Sequence, residues 1–533
     1  MNRRQFLRTA GLTGTAAGVP AVAALNRGPR EDEQRTGTAT STPTGTPTAT
    51  PTEAVATPTS GWEPTGRVAI EGATETVLGP DGRTAFVAVG DGFATVDLSD
   101  PAEPTVLRRV TDISPPDTDR VLAQIQDVKY DDGELLVVGP ANSHPDAFRG
   151  VVRYDVTDPA APEFLTAYET TFPVHNSYYE DGYAYLTGND ALRNPLVVVD
   201  VTGGTELSRW SVLDHDEGWG DLSPGLRTLH DVYVNDDLAY LACWDAGTWI
   251  LDVADPANPS YVGRVGDHSI EDLEKRTGLE VNRERLEPPG NAHYVATDPD
   301  GSLMAVGKET WNSNAGLDAT TPGPGDPGGP SGIDLYDVTD PSDPTHLATI
   351  DPPATADPNI AGVWTTAHNF DLDGRYLYSS WYQGGLKIHD VADPSDPEEV
   401  RYFRRTSETS FWTAQLATAG ETVVASSRFD PPDLPAALYT FPDVPRETPT
   451  PTESKTAPET DRTAADSPTP SPATASSISS TDGSPITTDT ATDGTADRTD
   501  GDGPGFGPLA ARAGFGVGVW RLLGSDLDES EDG

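Results

Sequence analysis

Asp390-Val391-Ala392-Asp393-Pro394-Ser395-Asp396-Pro397 is one of five near-copies of a single phrase. Each copy reads Asp, then Val or Leu, any residue, Asp-Pro, two more residues and a second Pro. The others begin at Asp97, Asp155, Asp252 and Asp337, and a worn copy at Asp200-Val201 lacks the prolines. Self-similarity at roughly 40 to 50 residues marks a stacked or circular array rather than an ordinary core. Upstream of each phrase runs a short apolar or alternating stretch, such as Thr248-Trp249-Ile250-Leu251, which reads as a strand ending at the first Asp. The phrase is a turn. Asp offers a side-chain acceptor, the first Pro presets φ, and the second confines the next strand to an edge position.

Two further strands precede each phrase, joined by a tight acidic turn at Asp81-Gly82, Asp132-Gly133, Asp181-Gly182, Asp236-Asp237, Asp300-Gly301 and Asp373-Gly374. Four strands per unit follow, with units at 72–110, 121–170, 172–213, 227–265, 290–350 and 363–405. A seventh unit, from Phe411 to Phe441, supplies three strands and lacks the fourth. Gly66-Arg67-Val68-Ala69-Ile70 precedes the first hairpin without a partner there. Pairing the two ends in one unit would close a ring and remove its open edges, so the expected fold is all-β, a seven-bladed β-propeller.

The apolar run into Asp-Val and Asp-Pro-x-x-Pro resembles the LVIVD-repeat family of surface-associated β-propellers, over residues 63–442. The resemblance implies a fold and a surface location more firmly than an activity.

A formal net charge of −50 and a pI near 4.2, with only five lysines among 35 basic residues, resemble the proteome of a salt-in halophile, haloarchaeal in type. Carboxylates hold hydration at low water activity, and their repulsion is screened at molar salt, where the Debye length is about 3 Å. A nucleic acid partner is disfavoured. Asn2-Arg3-Arg4-Gln5-Phe6-Leu7-Arg8 opens a segment, 1–24, that resembles a twin-arginine (Tat) signal peptide and implies export of a folded protein. The single Cys243 cannot form an internal disulfide, so stability must come from ring closure and packing.

Residues 25–62 and 443–503, rich in Thr, Ser, Pro and Asp, read as disordered spacers because they have too little apolar surface to offset chain entropy. Residues 504–533, which open on Pro504-Gly505-Phe506, resemble a degenerate PGF-type sorting signal, which implies membrane attachment only through a C-terminal lipid anchor. The uninterrupted run from Ala513 to Leu523 is too short to span a bilayer of ~30 Å. The expected location is the cell surface or the medium, and the expected state a monomer.

Aligning the units on their hairpins places Gln126, His175, His230, His293, His368 and Gln415 at one station of the innermost strands, with Glu75 as the first-blade equivalent. Trp244, Trp311 and Trp381 align on the loops after the second strands, at the same mouth of the channel. One reading makes His175, His230, His293 and His368 ligands to copper or zinc, with the tryptophans and the two glutamines lining a ligand site. The other makes each histidine a hydrogen-bonded staple between blades, since a template residue recurs without any ligand. Two functions follow. The first is a non-enzymatic surface scaffold that offers its channel face to a surface component, glycan or small ligand. The second is a metal-dependent oxidoreductase, resembling the selenium-binding protein and methanethiol oxidase group. The acidic loop Asp214–Asp221 reads as solvated rather than as a calcium site, and Cys243 as a small buried residue.

Overall fold

The phrase behaves in three dimensions as its chemistry requires. In a computed structural model that describes residues 57–277, 279–313, 328–360, 362–428 and 436–446, the third strand of every complete unit ends on the first Asp of its phrase: Asp97, Asp155, Asp200, Asp252, Asp337 and Asp390. That carboxylate accepts the backbone N–H two residues on, from Ser99, Thr157, Thr202, Ala254, Thr339 and Ala392, at 2.8–3.0 Å. The second Asp repeats the device, as in Asp100 to Ala102 and Asp340 to Ser342. The Thr157 and Thr339 hydroxyls at Asp155 and Asp337, these backbone bonds at all four, and the Arg375 guanidinium at Asp390 hold the Asp97, Asp155, Asp337 and Asp390 carboxyls below the usual carboxylate range.

The hairpins also follow their residues. Asp132-Gly133 and Asp181-Gly182 both have positive φ at the two central positions, the mirror-image turn whose twist suits antiparallel strands. Seven four-stranded antiparallel sheets result, six of them in simple sequence order. The innermost strands of blades one to seven are Thr76–Leu78, Asp127–Asp131, Val174–Glu180, Asp231–Asn235, Ala292–Thr297, Phe370–Leu372 and Phe411–Thr418. In blade seven the outer strand is Gly66–Ala69, paired antiparallel with Ala437–Pro442 from the other end of the domain, so the expected ring closure is present. Contacts begin slightly before the expected start at residue 63: Thr59 bonds Tyr402 of blade six, and Trp62 is buried against Phe441.

The first Pro of the phrase has a further use that its turn role does not reveal. Its carbonyl faces the preceding blade and accepts a hydroxyl there: Thr440 to Pro101 at 2.5 Å, Thr95 to Pro159 at 2.6 Å and Ser208 to Pro256 at 2.7 Å. Next to the phrase, a one-residue bulge interrupts the pairing of third and fourth strands in each of blades one to six. The recurring phrase thus both turns the chain and staples neighbouring blades. Expected core features hold as well: Cys243 is buried, with its thiol pushed up to about 12 by desolvation. Residues 214–221 fall in the short helix Val212–His215 and the 3₁₀ turn Glu217–Asp221; Asp214 accepts the N–H of the Ser211 cap of the first, and Asp216 caps the second. Between blades four and five, residues 266–289 carry two short helices, Ile270–Leu273 and Leu279–Glu284. The stretches expected as leader and sorting segment, and most of both expected spacers, lie outside the described residues.

Candidate functional site

The four aligned histidines do come together. Along the channel mouth the rings of His175 and His230 lie 4.5 Å apart between centroids, His230 and His293 3.6 Å and nearly parallel, His293 and His368 5.2 Å. All four are at least nine-tenths buried. With Glu309, Trp311, Trp364, Tyr382, Trp412 and Arg428 they line a recess of about 20 Å³, room for a single ion or water. Trp244, Trp311, Trp364, Tyr382 and Trp412, with Leu286 and Ile360, form one buried apolar cluster around it.

Hydrogen bonding divides the histidines. His175 Nδ1 bonds the Ala141 carbonyl of blade two at 3.0 Å, His230 Nδ1 the His293 carbonyl of blade five at 2.8 Å, and His368 Nδ1 the Trp412 carbonyl of blade seven at 2.6 Å. Each is therefore a staple to a neighbouring blade, and because a carbonyl only accepts, Nδ1 carries the proton and Nε2 keeps its lone pair. His293 breaks the pattern. Its Nδ1 lies 3.2 Å from Glu309 Oε2 but outside hydrogen-bonding alignment, and neither ring nitrogen has a hydrogen-bond partner among the described residues although the residue is 4% exposed. A buried polar group left in that state costs about 1–3 kcal/mol.

Burial sets the protonation states. Desolvation pushes His175 down to about 4, and His230, His293 and His368 well below the ordinary imidazole value, with neighbouring imidazoles adding to it for His230 and His293. Glu309 is pushed up to about 8 by desolvation, against a hydrogen bond donated by the Tyr382 hydroxyl that favours its charge. The recess at neutral pH thus holds uncharged imidazoles and a carboxyl whose burial outweighs the Tyr382 hydrogen bond and the Arg428 guanidinium that favour its charge. His293, Glu309 and His368 each have a ligand atom within 4.8 Å of the others, so these three are the residues placed to hold a metal ion.

Below the mouth lies a second layer made by the residues that follow the histidine station. Glu75, Asp127 and Asp231 are buried around Lys129, which pairs with Asp127 and interacts with the other two. Ser177 Oγ donates to Asp127 at 2.7 Å, Val295 N–H to Asp231 at 3.2 Å, and Asn369 Nδ2 to Glu75. Desolvation raises all three carboxyls, Glu75 to about 7, while the carboxylates hold Lys129 above its ordinary value against desolvation. One lysine thereby ties carboxylates from blades one, two and four on the channel axis.

Three expected positions need correction. Glu75 belongs to this deeper layer; the first-blade equivalent of the histidines is Thr74, whose N–H bonds Ala88 as that of His230 bonds Ala242. Gln415 is half-buried within the innermost strand of blade seven and does not line the recess. Its place is taken by Trp412, because two bulges in that strand, at Phe411/Thr413 and Leu416/Thr418, shift a count made from the hairpin. Trp381 is fully buried between blades, donating to Ser379 Oγ at 2.9 Å with Lys387 over its ring. Tyr382 is the equivalent of Trp244: both have positive φ, three residues before Gly385 and Gly247, so a slip of one residue exchanged the faces. Gln126 and Trp244 hold their stations without lining the recess, Trp244 stacking 6.4 Å from His230, whereas Trp311 does line it. Sequence reasoning missed Glu309, whose only signal was an acid between a buried strand and Trp311, and Trp364, which lies outside the repeated strands.

Three stretches, residues 82–112, 227–267 and 366–404, match the LVIVD repeat. Among solved structures the chain is similar to the β-propeller domain of Cps50 (Swd1) from Myceliophteria thermophila, at 11% identity and a TM-score of 0.48, covering 72% of this chain and 99% of that one. No curated protein matches the sequence.

Proposed function

Because this chain carries LVIVD repeats and is folded as a seven-bladed β-propeller, we propose that it is an exported recognition scaffold, displayed at the cell surface, that offers its channel face to a surface component or glycan. The observation that carries this reading is the filled mouth. Where a small-molecule enzyme keeps a pocket of several hundred Å³, the histidine recess here holds about 20 Å³ behind a wall of tryptophans. Nothing as large as a sugar ring enters it, so a partner is met across the rim. Closure by residues 66–69 and 437–442 supports the twin-arginine reading of residues 1–24, since the ring is complete only after the last strand has been made.

The test uses the full chain in a halophilic host. Protease shaving of intact cells should remove it, and replacing Arg3 and Arg4 by Lys should retain it inside. Purified protein should bind isolated envelopes saturably in molar salt; cytoplasmic retention of the unaltered chain, or envelope binding without saturation, would overturn the reading. The oxidoreductase alternative draws on the convergence of His293, Glu309 and His368, and is checked by turnover of a thiol substrate after metal loading.

A further inference from the structure

We infer that the channel mouth is a mononuclear transition-metal site whose protein ligands are His293, Glu309 and His368, not the row of four histidines. The inference is independent of the scaffold reading, since a metal here would brace blades five and six whatever the rim binds. It starts from the one histidine that departs from the repeat. His175, His230 and His368 each satisfy a neighbouring blade's carbonyl, which accounts for their recurrence without any ligand. His293 satisfies none. Both its ring nitrogens are buried without a hydrogen-bond partner among the described residues, and its Nδ1 faces a carboxyl from its own blade, Glu309, at 3.2 Å.

The geometry around it is that of a ligand set. Metal bonds of about 2.0–2.2 Å to imidazole and carboxylate place neighbouring ligand atoms roughly 3 to 3.5 Å apart. His293 Nδ1 and Glu309 Oε2 already stand at 3.2 Å, and the three groups fall within 4.8 Å of one another. Each of the other two is oriented from behind. The Trp412 carbonyl fixes the His368 proton on Nδ1 and leaves Nε2 for the ion, and the Tyr382 hydroxyl takes Glu309 Oε1 and leaves Oε2. The recess has the volume of one ion, and indole rings form much of its wall. Two imidazoles and one carboxylate suit zinc, or another divalent first-row ion, and leave at least one coordination position open.

The experiment is a titration of full-length protein, stripped with chelator and held in molar KCl, with Co²⁺ and then Zn²⁺. One Co²⁺ per chain should bind with visible ligand-field bands, and one Zn²⁺ should displace it. Saturation at a hundredfold excess over Kd should raise the melting temperature by about 3 °C. His293→Ala and Glu309→Gln should each weaken binding by about a hundredfold or more, whereas His175→Ala, which keeps all three ligands, should bind as the parent does. Glu309→Gln is nearly isosteric, so it decides the matter if His293→Ala does not fold. Uptake below about a tenth of an ion per chain by the folded protein, full binding by Glu309→Gln, or its loss in His175→Ala would each overturn the inference.

Discussion

The closing strand makes the sharpest prediction, because a four-residue ladder holds two ends of the domain that are more than 360 residues apart in sequence. Gly66, Arg67, Val68 and Ala69 pair with Thr440, Tyr439, Leu438 and Ala437. Just before them Trp62, 5% exposed, donates from Nε1 to the Pro442 carbonyl at 2.8 Å and packs its ring 5.1 Å from Phe441. Just after them Ile70, 3% exposed, bonds Ala436 through its N–H at 2.7 Å. Trp62→Ala should cost about 3–5 kcal/mol, the usual loss for a buried aromatic, against a total of about 5–15 kcal/mol for a folded domain. With a melting entropy near 2.1 cal/mol/K per residue, a ring spanning residues 57–446 loses about 4–6 °C. Deleting residues 57–71 removes Trp62, Ile70 and the ladder together and should cost about 5 kcal/mol or more, lowering the melt by about 6 °C or more on the same conversion. Deleting residues 31–56 should leave the transition in place. The assay is thermal melting in molar KCl followed by circular dichroism and tryptophan fluorescence. If Trp62→Ala melts within about 1 °C of the parent, or the two deletions melt alike, the ring is not held by this exchange.

The axial lysine yields a second prediction: Lys129→Met leaves Asp127, Glu75 and Asp231 buried without their cation, and should cost about 3–5 kcal/mol at pH 7 but less near pH 5, where carboxyls raised by burial take up protons; equal loss at both pH values in urea titrations would contradict it. A third concerns Glu75 alone. Its folded value near 7 lies above its unfolded one, so its contribution is fully present below about pH 4.5 and is lost as pH rises through 7. Glu75→Gln should flatten that decline, up to about 3 kcal/mol for an isolated group, and an unchanged stability profile between pH 4.5 and 7.5 would refute the assignment. A fourth follows from the charge of −50. Dilution from molar salt to ~0.1 M lengthens the Debye length to about 10 Å and should unfold the ring, and a melt unaffected by salt would sink the halophile reading.

Blade number, the strand limits at Asp97 through Asp390 and the exchange that closes the ring were all legible in the chain, because they depend on local chemistry. An Asp that accepts the N–H two residues on, a Pro that presets φ and a Gly with positive φ act within a few residues of themselves. The gathering of His175, His230, His293 and His368 at one mouth was legible for the same reason, since equivalent positions of a repeat must meet around an axis. What the histidines do there was decided only by the fold. A one-residue slip put Trp381 in the core and Tyr382 beside Glu309, and two bulges put Trp412 where Gln415 was expected. Side chains alternate faces along a strand, so an error of one residue reverses every contact, and bulges leave no reliable mark in sequence. The axial grouping of Glu75, Asp127, Lys129 and Asp231, and the meeting of His293 with Glu309 and His368, join residues from different blades or across bulged pairs. Only closure of the ring brings such groups within reach of one another, and only burial there gives them their chemistry.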